Sequence, residues 1–444
     1  MAGKLQRSVE KQLGISVDAS QSIGMIMYST GFINVDYLNG FMVKVNGNGK
    51  DYMYTMRGIP DGSSVTFIGR PHCGKTTMAN QIAGEIARQF EHSKIYHYDI
   101  EGGSNEYRFQ NMARFNDSEM ATKYNYRDKQ VTSEFFHDEL TRVYNEKKKL
   151  GKTIQYNTGV HNYLGKPVIK YEPTIVILDS IPLLYPDDVA TNEKMDGSMA
   201  VASTVKANSF VFKKMQQLCR EVNIIILAIN HIQPEITIGV PKKTQMAGIR
   251  RGERLSGGEA TNYLANTMFR VDDGKKLTPD EGFGISGNIS LIETTRSRTN
   301  CSLKKVPMIF DQVRGFDNYL SIFQLLKSYN RIGGAGSHLY IEGYPEIKFS
   351  QRGLRDMLAT SNELKMILAQ AAFPYLRDLL PLEDPTILHN KASIQTDIND
   401  IIAKIEKGDI SIDRPHIFVD PTGSNTQIPK EPDTIEEMVE GLQE

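Results

Sequence analysis

Between residues 28 and 317 the chain alternates short apolar, β-branched runs with longer stretches of helical period. The clearest runs are SSVTFIG, KIYHYDI, TIVILDS, NIIILAIN and ISLIETT. Short apolar runs bounded by polar turns read as buried strands. Between them lie TTMANQIAGEIARQF and VASTVKANSFVFKKMQQLCREV, and in the second Val201, Val205, Phe212 and Met215 fall near one helical face. Strands alternating with helices predict an α/β fold, a mostly parallel twisted sheet flanked by helices. The expected core spans 28–324. After it the pattern shifts to shorter helices and Gly-rich turns such as RIGGAGS, predicting a small, mainly helical C-terminal domain over 325–429. Residues 1–27 read as an N-terminal arm with a short helix at 5–13, available for contact with a second copy. Residues 430–444 read as an acidic tail.

Composition narrows the function classes. The 444 residues carry a formal net charge of −1, so there is no uniformly basic coat, and any affinity for phosphate must sit in local clusters. The three cysteines, Cys73, Cys219 and Cys301, form no CxxC pair, a pattern that suits a reducing cytosol and argues against disulfides or a zinc site. No apolar run reaches membrane-spanning length and MAGKLQRSVEKQLG has no signal-peptide core, so the expected location is cytoplasmic.

The strongest chemical signal is GRPHCGKTT, which matches G-x-x-x-x-G-K-[ST] with a strand before it and a helix after it. Its residues Gly69, Arg70, Pro71, His72, Cys73, Gly74, Lys75, Thr76 and Thr77 are the expected nucleotide-binding set. Glycines let backbone N–H groups point at phosphates, and the helix adds its positive end. Lys75 would neutralise β/γ-phosphate charge, and the Thr76 hydroxyl would reach Mg²⁺. Asp179, at the end of TIVILDS, is placed to hold the same metal, although an aspartate there is as readily a helix cap. Asp99 and Glu101 follow KIYHY, and a glutamate at that point could polarise a water for hydrolysis; solvated loop acids are the plain alternative. Asn230 and His231 end NIIILAINH, where they could sense a γ-phosphate or simply be satisfied structural groups.

The motifs YSTGFINVDYLNG, RGIPDGSSVTFIGRPHCGKTT, YDIEGG, VILDS, AINH and ETTRSRTN, in that order, resemble the RecA-type recombinase core, and within it the phage UvsX-like branch. The resemblance covers roughly residues 28–317. It implies an ATP- and Mg²⁺-dependent DNA recombinase, with ATP hydrolysis stimulated by DNA. Glu101 matches the water-activating glutamate. Tyr107 matches the aromatic that stacks on adenine, with the spacing one residue shorter than usual. His231 stands where bacterial RecA has a glutamine coupling the γ-phosphate to a DNA-binding loop. Arg296 and Arg298, two apart on a strand and so expected on one face, match a cationic pair that reaches the ATP of a neighbouring subunit. Taken alone they would be a solvated face. A trans contact places ATP between protomers, and a head-to-tail interface that does not close gives a helical filament. The implied partners are single-stranded and double-stranded DNA, further copies of the chain, and mediator and single-strand binding proteins. The implied setting is a bacterial cell infected by a virus.

Residues 236–254, ITIGVPKKTQMAGIRRGER, carry five Lys/Arg against one acid and follow the strand ending in His231. They occupy the position of the second DNA-binding loop of that family, within 232–256. Lys242, Lys243, Arg250, Arg251 and Arg254 would bind phosphates without reading sequence. Ile236, Ile238 and Val240 would wedge between base stacks. A flexible loop with locally packed apolar residues is the bland alternative. Residues 185–199 hold the position of the first DNA-binding loop but carry more acid than base. The six acids from Glu431 onward would compete with DNA for the basic loops or merely keep the end soluble.

Two other readings use the same core. A hexameric helicase or translocase of DnaB or RadA type shares the phosphate loop, but only about 27 residues precede the core and no RadA-type zinc cysteines are present. A nucleotide-switched assembly protein would bind ATP without DNA-stimulated turnover.

Overall fold

The computed structural model describes residues 26–47, 50–127, 131–161, 167–191, 197–235, 249–250, 252–256, 265–279, 282–379, 382–383 and 418–420. Among the sequence expectations, Ile236, Ile238, Val240, Lys242, Lys243 and Arg251 lie outside the described residues. So do residues 1–25 of the arm, the acidic tail, and 192–196 of the first loop.

The chain begins with β1 (Met27–Tyr28), α1 (Ile33–Leu38), the hairpin β2 (Gly40–Gly47) and β3 (Lys50–Arg57), and β4 (Ile59–Pro60) paired to β1. The unit that carries GRPHCGKTT is β5 (Ser64–Gly69) followed by α2 (Lys75–Arg88). After it come β6 (Lys94–Asp99), α3 (Glu106–Ala113), α4 (Asp117–Lys123), β7 (Tyr124–Arg127) and α5 (Ser133–Leu150). The hairpin β8 (Gln155–His161) and β9 (Pro167–Tyr171) leads into β10 (Thr174–Asp179), α6 (Asp187–Thr191), α7 (Gly197–Val222) and β11 (Ile224–Pro234). The remaining sheet strands are β12 (Glu253–Leu255), β13 (Thr267–Leu277), β14 (Gly287–Ser297), β15 (Lys304–Asp311) and β16 (Gly315–Asp317).

Among the described residues one large sheet runs β16-β15-β14-β13-β5-β11-β10-β6-β7, with β12 added to the end of β11. From β13 to β7 all neighbours are parallel, whereas β14, β15 and β16 return antiparallel. The ISLIETT run therefore departs from the parallel pattern expected of it. Its apolar run suits a strand of either direction, and the tight returns from β13 through β16 leave no room for crossover helices.

Parallel strands buried on both faces explain why their sequences are continuously apolar. In β10, Ile175 and Ile177 face α2, packing with Ile82, Ile86, Val65 and Phe67. Val176 and Leu178 face the other way, packing with Phe136, Leu140, Phe212 and Met215 from α5 and α7. The boundary expected at residue 325 falls inside helix α8 (Asn318–Ser328), whose Phe323 and Leu326 share one core with Leu354, Leu364, Leu368 and Leu376. Residues 325–379 hold α9 (Leu354–Thr360) and α10 (Asn362–Arg377) beside a three-stranded sheet at 332–349, so helix is not their whole content. No helix among the described residues is long and apolar enough to cross a membrane.

Candidate functional site

Registry brings four strand ends to one edge. Gly69 of β5 lies opposite His231 of β11, and Asp179 of β10 lies opposite Asp99 of β6. In a parallel sheet the carboxyl ends of adjacent strands form the natural crevice for a ligand.

The phosphate-loop sequence is shaped by close approach. A Cβ at Gly69 would stand 2.4 Å from the Val271 carbonyl oxygen. Gly74 has φ +92° and a Cβ there would meet the Phe316 ring, so a side chain is disfavoured on both counts. Arg70, Pro71 and His72 form the exposed crest, His72 with φ +64°. Cys73 and Thr77 are buried, with Thr77 packed toward Gly315. Lys75 is also buried, and its Nζ donates to the carbonyls of Gly69 (3.2 Å) and Arg70 (2.6 Å). The ammonium thus sits in the curl of its own loop.

Thr76 Oγ1 donates to Asp179 Oδ2 at 2.7 Å, joining the loop to the end of β10. The other carboxylate oxygen, Asp179 Oδ1, is buried with no hydrogen-bond partner. Burial, aided by the nearby Glu101 and Asp99 charges, raises the Asp179 pKa to about 6 against the Thr76 hydrogen bond and Lys75. Among the described residues no group of three His, Cys, Asp or Glu side chains forms a metal cage. A magnesium ion bound with phosphates needs no such cage, taking one or two protein oxygens and completing its shell with phosphate and water. A hydroxyl beside a carboxylate with an unpaired buried oxygen fits that donor set.

Asp99 and Glu101 have different jobs. Asp99 accepts from the amides of Gly102 (3.0 Å) and Ser104 (2.7 Å) and from the Tyr126 hydroxyl (2.8 Å), so it organises the turn. Glu101 is presented by that turn. Its Oε1 accepts from Ser180 Oγ at 2.5 Å and from His231 Nε2 at 2.7 Å. Burial pushes the Glu101 pKa up, but Ser180, His231 and Lys75 outweigh it and hold the carboxyl below its ordinary value. Around this carboxylate, His231 Nδ1 and Asn230 Nδ2 are buried without partners. Three unpaired polar atoms at one sheet edge are unusual, because native interiors pair nearly all such groups.

The remaining expected residues are placed elsewhere. Tyr107 lies in the first turn of α3, 77% exposed. Arg296 is half-buried near the end of β14 opposite Met268, and Arg298 lies one residue beyond the strand, exposed. Because β14 runs antiparallel to β13, both arginines are at the opposite edge of the sheet from Gly69. A register shift between Met268 and Phe269 leaves Thr294 and Thr295 both buried just before the two arginines, and Arg298 lies beyond Ser297, the last residue of the strand.

Within 232–256, residues Ile232–Pro234 and Glu253–Leu255 pair as an antiparallel ladder, so the ends of the expected loop are a hairpin base. Arg254 is exposed there, opposite Gln233. Arg250 is engaged with Asp272, 2.7 Å away. Sequence reasoning missed Ser180 as the partner of Glu101, and it missed Arg270, fully buried in β13 and paired to Glu253 and Asp272. An arginine inside the apolar run TMFRV was the available signal, since a buried guanidinium requires carboxylates. The chain matches no known family model, and a search of curated proteins finds no match.

Proposed function

We propose that this protein is an ATP-dependent DNA recombinase with a RecA-type core, assembling on single-stranded DNA as a helical filament and promoting pairing with double-stranded DNA and strand exchange. The observation that carries the reading is the convergence of Lys75, the Thr76–Asp179 pair and the Ser180–Glu101–His231 cluster at one sheet edge. In this reading Thr76 and Asp179 would hold Mg²⁺, and the chemistry it would supply is neutralisation of phosphate charge. Lys75 turns from the loop carbonyls to the phosphates. Glu101, kept ionised, takes the proton of the attacking water. His231 releases Glu101 as it turns to the γ-phosphate, and through β11 that movement reaches the basic segment after Pro234. Tyr107 offers an exposed ring for adenine.

Arg296 and Arg298 lie at the far edge, so their contribution to a nucleotide comes from a neighbouring copy. That arrangement supports assembly of a filament in which ATP lies between protomers. The test is ATP hydrolysis with and without single-stranded DNA, beside Glu101→Gln. DNA should stimulate the unaltered protein, and the variant should lose about 10²- to 10⁴-fold of turnover while still binding ATP. Filaments in the electron microscope support recombinase over helicase, and rings would reverse that choice. ATP binding with no response to DNA would sink the reading and favour an assembly switch.

A further inference from the structure

A buried charge network ties the phosphate loop to the base of the basic hairpin. Arg270 is 1% exposed, in a central strand whose neighbours are apolar. Its guanidinium grips Glu253 twice, Nη1 to Oε2 at 2.7 Å and Nη2 to Oε1 at 3.0 Å, and its Nε reaches Asp272 at 2.8 Å. Glu253 also accepts from the Arg250 amide at 3.0 Å, while the Arg250 side chain reaches Asp272. Glu253 is therefore the fixed point of the hairpin's return leg. Below it, Ile249, Ile232 and Leu255 pack on Ile68 and Met268, a small cluster separate from the main cores. Ile68 pairs with Arg270 across the sheet and immediately precedes Gly69.

From the other side, Arg70 on the exposed crest of the phosphate loop points a guanidinium nitrogen at Glu253 Oε1, 4.0 Å away. Glu253 thus stands between one arginine that cannot move, Arg270, and one that can. Arg70 is exposed and Glu253 is already satisfied by Arg270, so a contact at that distance adds little and is easily broken. A polyphosphate bound at the loop competes with Glu253 for Arg70. Loss of Arg70 from Glu253 changes the charge balance at the hairpin base, where Arg250 and Arg254 begin the basic segment.

We infer that Glu253 is a positioning residue through which a nucleotide at the GRPHCGKTT loop, by way of Arg70, sets how strongly Arg250 and Arg254, at the base of the β11–β12 pair, hold single-stranded DNA. The inference rests on the function proposed above and adds a second link between nucleotide and DNA, independent of His231. It also explains why a central strand keeps an arginine. The buried charge costs desolvation and fixes the hairpin base within reach of the phosphate loop.

The experiment measures affinity for a fluorescent single-stranded oligonucleotide with a non-hydrolysable ATP analogue and with ADP, in the full-length protein, and takes the ratio. Allosteric ratios of this kind commonly run from about 5- to 150-fold. Glu253→Gln should bring the ratio to within about 2-fold of one while basal, DNA-free hydrolysis stays within about 2-fold, a smaller change than any allosteric ratio in that range. Arg70→Gln cuts the link from the other end with the Arg270–Glu253 anchor intact. It should lower the same ratio even if Glu253→Gln folds poorly. If Glu253→Gln weakens DNA binding equally in both nucleotide states, or Arg70→Gln keeps the full ratio, the inference is overturned while the proposed function stands. If the unaltered protein shows no nucleotide-dependent affinity, the proposed function and the inference fall together.

Discussion

Two buried lysines at opposite ends of the parallel sheet show how differently one residue type is used. Lys147, near the amino ends of the strands, donates to the Glu172 carbonyl, the Thr174 hydroxyl and the Asn223 carbonyl. Those acceptors come from two segments, the β9–β10 connection at Glu172–Thr174 and the turn at Asn223 before β11, so the lysine staples the chain where α5 meets the sheet. Lys75, at the carboxyl ends, bonds only groups of its own loop among the described contacts, the Gly69 and Arg70 carbonyls and, at 3.7 Å, Cys73 Sγ, beside the unpaired Asp179 Oδ1, Asn230 Nδ2 and His231 Nδ1. At Lys147 the polar groups close on one another. At the other end, buried groups keep hydrogen-bonding capacity that the described residues do not use. That is the contrast expected between a stabilising site and the ligand site proposed above, since function commonly costs poorly paired polar groups.

The sharpest way to break this contrast is Lys75→Ala. If Lys75 serves phosphate charge, hydrolysis should fall by about 10²- to 10³-fold, the range for losing one preorganised charge donor. Thermal unfolding should move little, because the partners of Lys75 all lie in its own loop and no second segment is released. A loss of melting temperature comparable to the loss of activity would mean that Lys75, like Lys147, is a staple.

Lys147→Ala should do the reverse. It leaves the Glu172 carbonyl and the Thr174 hydroxyl without their buried donor, while the Asn223 carbonyl keeps the Thr174 amide, and it opens a cavity, destabilising the fold by about 2–4 kcal/mol. Hydrolysis per folded molecule should be retained. Burial lowers the Lys147 pKa to about 7, against the weaker pull of Glu172. The unfolded chain, with an ordinary lysine near 10.4, therefore binds more protons between about pH 7 and 10. The lysine's contribution to stability is thus fully present above that window and is lost as pH falls through it. The deficit of the variant, read by urea unfolding at several pH values, should widen from pH 7 toward pH 10. A deficit that is flat over this range would show that Lys147 stays charged in the fold.

How far each end could be read from sequence follows from the range of the interactions. GRPHCGKTT stood out because its glycines, lysine and threonines lie within nine consecutive residues, and the strand and helix expected on either side of it are present as β5 and α2. The apolar strands were legible because burial on both faces leaves an unbroken run. Lys147 was not, since its acceptors lie 25 to 76 residues away and a helix reading KKKL looks solvated. The partnership of Ser180 with Glu101 depends on the registry of β6 beside β10, which no local pattern carries. The placement of Arg296 at the far edge depends on β14 running backwards, and a strand's direction leaves no mark on its composition. The ERL strand that closes the basic hairpin is too short to show a period, and its anchor Arg270 lies 17 residues from Glu253.

The smallest expected effect tests the ligand end from the stability side. Asp179 is buried, half of its carboxylate is unpaired, and burial disfavours its charge. An amide of the same shape accepts from Thr76 as before and carries no charge to desolvate. In the absence of magnesium and nucleotide, Asp179→Asn should therefore melt higher than the unaltered protein. The gain expected is about 1 °C, the shift that about 1 kcal/mol gives when the unfolding entropy is ~2.1 cal/mol/K for each residue of a chain this long. The same variant should lose hydrolysis, and magnesium with nucleotide should raise its melting point less than that of the unaltered protein, since bound ligand stabilises only what it binds. Differential scanning fluorimetry with and without magnesium and nucleotide reads both effects. A variant that melts lower would mean that the carboxylate is a structural member of the fold, and the two ends of the sheet would then differ in degree, with a stabilising charge at each.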